Sequence, residues 1–78
     1  ANEIKPVRLN GVSPGLIDTP MSPLEGAERV NYYQRGTSEH IIPRAGMADE
    51  VAAAAIFLLE NDFVTGTIID VDGGAIAS

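Results

Sequence analysis

The run Val51-Ala52-Ala53-Ala54-Ala55-Ile56-Phe57-Leu58-Leu59 is apolar on every face a helix can present. Asp49 and Glu50 precede it, where a helix dipole favours negative charge, and Asn61-Asp62 follow as turn residues. The pattern predicts a helix over 48–60. Met47 stands at its N-cap; a thioether is a poor acceptor for the first-turn amides, which costs about 1 kcal/mol of capping. A helix that is apolar all round is normally covered on more than one side, and this run is too short to cross a bilayer. Whatever else the chain builds must therefore cover this helix, or cover must come from elsewhere.

Two extended segments flank it. Pro6 to Val12 alternates Val7, Leu9, Gly11 against Arg8, Asn10, Val12, which predicts a strand over about 6–12. Ser13-Pro14-Gly15 breaks the alternation; Gly15 permits positive φ, so a turn is expected, and Pro20 and Pro23 keep 13–23 a loop. In the region 24–42, Leu24, Ala27, Val30 and Tyr33 predict a short helix from Leu24 to about Gln34, with Val30 packed inward. Gly36-Thr37-Ser38 should end it, and Ile41-Ile42-Pro43 should be extended. Phe63-Val64-Thr65-Gly66 leads into a second strand over 66–71, closed by Asp72-Gly73-Gly74. Strand, loop, helix, helix, strand is a crossover, which places the two strands parallel and normally connects them right-handedly. Parallel strands need both faces covered. The helices can cover one face and nothing remains for the other, so an α/β fold is expected, and an incomplete one. The chain also begins almost directly on a strand, as though cut from something longer.

Composition narrows the function. At 78 residues the chain suits one small domain at most, a size that buries only about 60% of its unfolded surface. It has no cysteine, so no disulfide framework compensates, and a single histidine, so no metal site is expected. His40 reads as a surface loop residue. A net charge of −6 without a basic cluster disfavours nucleic acid and anionic membranes as partners. No signal-peptide pattern is present, and a soluble, cytoplasmic protein is expected. Asp70 and Asp72 share a strand face, yet no companion group nearby suits acid–base work, so a solvated or structural role is the expectation.

Three blocks carry a family resemblance. Val7-Arg8-Leu9-Asn10-Gly11-Val12-Ser13-Pro14-Gly15-Leu16-Ile17-Asp18-Thr19-Pro20-Met21 resembles the sixth strand and following loop of short-chain dehydrogenases/reductases. Pro43-Arg44-Ala45-Gly46 through Glu50-Val51-Ala52 and Phe57-Leu58-Leu59 is similar to that family's last helix and its approach. Phe63-Val64-Thr65-Gly66 through Val71-Asp72-Gly73-Gly74 is similar to its final strand and terminus. Met47 departs from the family's usual Thr or Ser. The resemblance implies that 1–78 is the C-terminal segment of a single NAD(P)-binding, Rossmann-like doubly wound domain. Residues 6–12 and 66–71 would be parallel strands, 13–23 a nicotinamide-side loop, 24–42 a substrate lid and 48–60 the helix between.

The same resemblance implies roles for individual residues. Pro14, Gly15, Ile17 and Thr19 would contact the nicotinamide of NAD or NADP. Leu24, Tyr32 and Tyr33 fall in the lid, and Met21, near the end of the loop before it, would join them in lining a substrate pocket. Val51, Ala55, Phe57, Leu58, Ile69 and Val71 fall where family members build a subunit interface, although burial within the same domain would use these residues equally well. The family's glycine-rich phosphate-binding turn is absent from this sequence, because Gly73-Gly74 has no helix after it. The active-site Tyr followed four positions later by Lys is absent too: Tyr32 is followed at that spacing by Gly36 and Tyr33 by Thr37, and Lys5 precedes both. The chain is thus expected to belong to an oxidoreductase that moves hydride between a nicotinamide and a carbonyl or alcohol, to be inactive alone, and not to hold the nucleotide alone. The partners this implies are the missing amino-terminal part of the domain, other subunits of the family, or further copies of itself. The other class open to it is a non-catalytic interaction module that pairs with intact relatives.

Overall fold

The computed structural model describes residues 7–75. In chain order it contains β1 (Gly11–Pro14), β2 (Ile17–Asp18), α1 (Gly26–Gly36), β3 (Gly46–Met47), α2 (Ala48–Glu60) and β4 (Ile68–Val71). β1 and β4 pair in parallel, with Gly11 opposite Ile68 and Pro14 opposite Val71. β2 and β3 form a second, shorter parallel pair, Ile17 opposite Gly46 and Asp18 opposite Met47. The architecture is α/β with a crossover through both helices, a partial Rossmann-like fold.

The first strand begins later than its alternation predicts. Residues 7–10 are not in the ladder, and position 6 lies outside the described residues. The reason is the partner: residues 61–67 turn toward β4 and meet 8–10 through one backbone bond, the Gly66 amide to the Leu9 carbonyl (2.8 Å), and otherwise through side chains. The amide of Leu9 donates to Thr65 Oγ1 (3.2 Å), Asn10 Nδ2 donates to the Val64 carbonyl (3.1 Å), and the Thr67 amide donates to Asn10 Oδ1 (3.1 Å). Regular pairing starts only at Gly11, which also places the second strand at 68–71 rather than 66–71. Ser13 and Pro14, expected in a turn, complete β1, where a proline is tolerated because the strand ends there. The loop expected over 13–23 also contains β2, whose partner Gly46-Met47 carries no strand signal of its own.

α1 starts two residues later than expected. Gly26 opens it at φ +58°, a backbone conformation that side-chain-bearing residues rarely adopt. Thr37 closes it, its amide and hydroxyl both donating to the Tyr33 carbonyl, and is fully buried. Val30, expected to pack, is 54% exposed; Tyr33 takes the inward position of that helix. Ile41 and Ile42 form no strand, but the Ile42 amide donates to the Gly73 carbonyl (2.8 Å) and so ties the segment to the end of β4. α2 occupies 48–60, and its cap is half built: the Met47 amide donates to Glu50 Oε1 (2.9 Å), with no ordinary cap bond from the Met47 side chain.

One cation closes the far end of α2. The Nη1 group of Arg8 donates to the carbonyls of Leu58 (2.8 Å), Asn61 (3.0 Å) and Val64 (3.2 Å), and Nη2 donates to that of Leu59 (3.1 Å). Carbonyls of a last helical turn have no partner within the helix and carry the negative end of the dipole, so a guanidinium there answers both.

Cover is one-sided. α2 packs on β1 and β4, and β4 alternates outward Ile68 and Asp70 with half-buried Ile69 and Val71. Ile68 shares its face with Gly11, where an added Cβ would meet its Cγ1 at 3.6 Å, and is 70% exposed. Among the described residues only Tyr33, Leu58 and Thr37 are buried. The accessible surface is 5921 Å², where a compact protein of this mass exposes about 4500 Å². The apolar helix is therefore left largely uncovered by this chain, with Ile56, Phe57 and Leu59 exposed.

Arg8→Ala removes donors from four carbonyls and is expected to cost roughly 2–4 kcal/mol of stability, since hydrogen bonds to charged groups contribute about 1.5–3 kcal/mol each but share one side chain here. A urea midpoint unchanged by Arg8→Ala would contradict the role assigned to it.

Candidate functional site at the carboxyl ends of the parallel strands

β1 and β4 run in the same direction and end together at Pro14 and Val71. The loop after β1 and the Asp72-Gly73-Gly74 segment after β4 therefore emerge at one edge. Ligands of open α/β sheets bind outside the carboxyl ends of the strands. The two segments touch: the Gly15 amide donates to the Val71 carbonyl (3.0 Å), and a Cβ on Gly15 would lie 2.7 Å from Asp72 Cβ. Gly15 is therefore required by the approach of its own chain. The turn expected from positive φ at Gly15 is not formed; the positive values fall at Gly26, Gly66, Gly73 and Gly74. Asp72 is structural at this point, accepting from the Gly74 amide (2.9 Å), whereas Asp70 faces solvent.

The backbone beyond Gly15 is held by β3. The Gly46 amide donates to the Leu16 carbonyl (2.9 Å), with Ile17 opposite Gly46. In a parallel ladder a residue whose neighbours bond one strand directs its own N–H and C=O to the other side. Ile17 thus offers a donor and an acceptor on the open edge of β2. Thr19 is half-buried; its carbonyl accepts from the Ser22 amide (3.1 Å) and from Arg29 Nη2 (2.7 Å). Its hydroxyl has no hydrogen-bond partner among the described residues.

Other predicted residues are dispersed. Leu24 and Tyr32 line a groove on α1 with Glu28, Asn31 and Arg35, while Met21 stands in solvent. Tyr33 is buried and meets Tyr32 edge to face at 5.3 Å between ring centroids. Ala55 and Leu58 lie by the start of β1, beside Gly11 and Val12, whereas Phe57 on the same helix is half exposed. A separate cleft of about 320 Å³ opens beside the strand ends, lined by Leu16, Ile42, Arg44, Glu50, Asp70 and Asp72 among others. Pro14, Gly15, Ile17 and Thr19 lie outside its lining. No group of His, Cys, Asp and Glu that could hold a metal occurs among the described residues, and no helix there is long and apolar enough to cross a membrane.

Two ion pairs that no spacing in the sequence advertises organise this edge. Arg44 grips Glu50 with two parallel bonds, Nη1 to Oε1 (2.9 Å) and Nη2 to Oε2 (2.8 Å). That fork, helped by the Met47 amide, lowers the Glu50 carboxyl to about 2. Asp18 and Arg29 form the second pair. Both join residues from different segments, and only the fold brings them together.

Comparisons with known proteins bear on the family and the fold. Residues 1–75 match the family model described as enoyl-(acyl carrier protein) reductase. The chain is 45% identical over 73 residues to the short-chain dehydrogenase/reductase bsc3 of Alternaria brassicicola, covering 90% of this chain and 27% of that protein. It is 39% identical over 74 residues to the 3-oxoacyl-[acyl-carrier-protein] reductase FabG of Thermotoga maritima, covering 90% and 28%. A crystal structure of a small-chain dehydrogenase in complex with NADPH superposes with a TM-score of 0.78 at 38% identity, covering 92% of this chain and 33% of that one. The chain belongs to the short-chain dehydrogenase/reductase family, whose members are NAD(P)-linked oxidoreductases. It spans under a third of the length of these curated relatives.

The Glu50 carboxyl is depressed in the folded chain, so its contribution to stability is complete above its ordinary value of 4.5 and is lost as pH falls toward 2. Wild type should therefore destabilise more steeply than Glu50→Gln across that window. Equal acid slopes in urea titrations of the two proteins would show that the fork contributes nothing.

Proposed function

We propose that this chain forms the nicotinamide-side edge of an NAD(P)-dependent oxidoreductase and is the C-terminal part of its short-chain dehydrogenase/reductase domain. The observation that carries the reading is the register of β2 on β3, which turns the Ile17 N–H and C=O away from β3, where they meet no partner among the described residues. A carboxamide presents one acceptor oxygen and one donor NH2, the complement of that pair. The unpartnered Thr19 hydroxyl lies two residues on, and Pro14 and Gly15 set the level at which the loop leaves the sheet. When bound, the nicotinamide supplies the hydride. This chain's residues orient its carboxamide and help exclude water from that face.

The proton is another matter. The Tyr-x-x-x-Lys pair and the glycine-rich turn are missing from the sequence, so the chain by itself neither donates a proton nor cradles the pyrophosphate. It is inactive alone and depends on a further part of the domain for nucleotide binding. The substrate is a carbonyl or alcohol compound, with Leu24 and Tyr32 in the lid over it. The FabG relatives, named as 3-oxoacyl-[acyl-carrier-protein] reductases, accord with a carbonyl substrate. The protein works in the cytoplasm.

The exposure of Ile56, Phe57 and Leu59 supports a second, compatible reading. In it, α2 and β4 join the chain to other subunits of the family or to a second copy through Phe57 and its exposed neighbours Ile56 and Leu59, with Val51, Ile69 and Val71 half-buried beside them; Leu58 and Ala55, expected in such an interface, are taken up by the chain's own packing on β1.

Purified chain supplied with NADH or NADPH and a carbonyl substrate is expected to leave the absorbance of the reduced nicotinamide unchanged; turnover would end the inactivity reading. In a complete reductase domain bearing this segment, Thr19→Ala should raise KM for the nucleotide about fivefold, the loss of one hydrogen bond. Thr19→Ser should restore it, and equal KM values for all three would refute the contact.

A further inference from the structure

Arg29 stands near the start of α1, yet its guanidinium reaches back across the loop. Nε donates to Asp18 Oδ1 (3.0 Å), Nη2 donates to the same oxygen and to the Thr19 carbonyl (2.7 Å), and Nη1 donates to the Leu24 carbonyl (3.1 Å). Three acceptors from two parts of the chain are thus held by one side chain. Asp18 lies between Ile17 and Thr19, and it pairs with β3 on its other side. The guanidinium carbon also sits 6.0 Å from the centre of the buried Tyr33 ring, within cation–π range, so its position is backed by the inward face of α1.

Exposed ion pairs commonly contribute little, because two long side chains must be ordered for a screened attraction. This one differs in kind. The Arg29 and Asp18 side chains are only 27% and 32% exposed, and half of the bonds go to backbone carbonyls that cannot move without moving the loop. A lysine could not substitute, since a single ammonium lacks the rigid planar fork that spans these acceptors.

We propose that Arg29 is a positioning residue that latches α1 to the Ile17–Thr19 backbone, so that the lid helix and the cofactor-facing edge open and close as one body. The assignment of that edge to a nicotinamide rests on the reading above; the latch itself does not.

The test is backbone amide exchange, followed by NMR on the full chain without nucleotide, for wild type, Arg29→Gln, Arg29→Lys, Asp18→Asn and the reference Arg35→Gln. Arg29→Gln is expected to speed exchange at the hydrogen-bonded amides of Asp18 and Ser22 and in the first turns of α1 by a common factor of about tenfold, leaving α2 unchanged. Arg29→Lys should show most of that increase, and Arg35→Gln none. The double variant Asp18→Asn with Arg29→Gln should exceed Arg29→Gln alone by little, because both remove one shared interaction. Loop and helix amides responding by different factors would overturn the latch, as would Arg29→Lys exchanging like wild type. If Arg29→Gln accelerates α2 as well, Asp18→Asn decides: a common rise confined to loop and α1 supports the latch, and a rise across the whole chain overturns it. Because no nucleotide is present, a wrong assignment to nicotinamide leaves these results untouched, and the Thr19 comparison tests that assignment separately.

Discussion

Four carbonyls converging on the guanidinium of Arg8 hold the end of α2 against the start of β1. The rest of the crossover depends on that junction. A parallel pair cannot be closed by a tight turn, so β1 and β4 meet only if the long connection between them returns in register. The return is guided at residues 8–11, where Arg8, Leu9, Asn10 and Gly11 take up the groups of 58–67 in succession. With Gly11 thereby opposite Ile68, the two strands end level, and the loop after β1 is delivered beside Asp72.

Polar contacts organise this chain more than its core does. With so few side chains buried, hydrophobic burial within the chain is slight, and the apolar surface of α2 and the Ile68 face remains available to cover from outside. The site edge, by contrast, is well tied: Arg44 with Glu50 at the head of α2, Arg29 with Asp18 across the loop, Gly46 with Leu16 between the short strands. A segment built this way preserves the local geometry at its strand ends while leaving its stability to what packs against it.

The family's loop was legible because its residues are contiguous. Pro14, Gly15, Ile17 and Thr19 lie within six positions of the sequence, and the structure divides them between the end of β1, β2 and the link after it. What the run does was only partly legible: Gly15 is needed for Asp72, fifty-seven positions away in the chain, and not for a positive φ. The residues expected in a lid illustrate the opposite case. Leu24 and Tyr32 share a groove, but the same helical spacing also suggested an inward Val30, which is exposed, and it is Tyr33 that α1 buries.

The amino-acid sequence alone determined the α2 helix and the parallel crossover, because periodicity and connection length are properties of neighbouring residues. It also determined the absence of a Tyr-x-x-x-Lys pair, which is a matter of reading residues. Tertiary structure decided where pairing begins, which cations clasp which carbonyls, and that Ile17 turns its backbone groups away from β3. Those outcomes join residues far apart in the chain, and no local pattern encodes a partner that only folding brings within hydrogen-bonding distance.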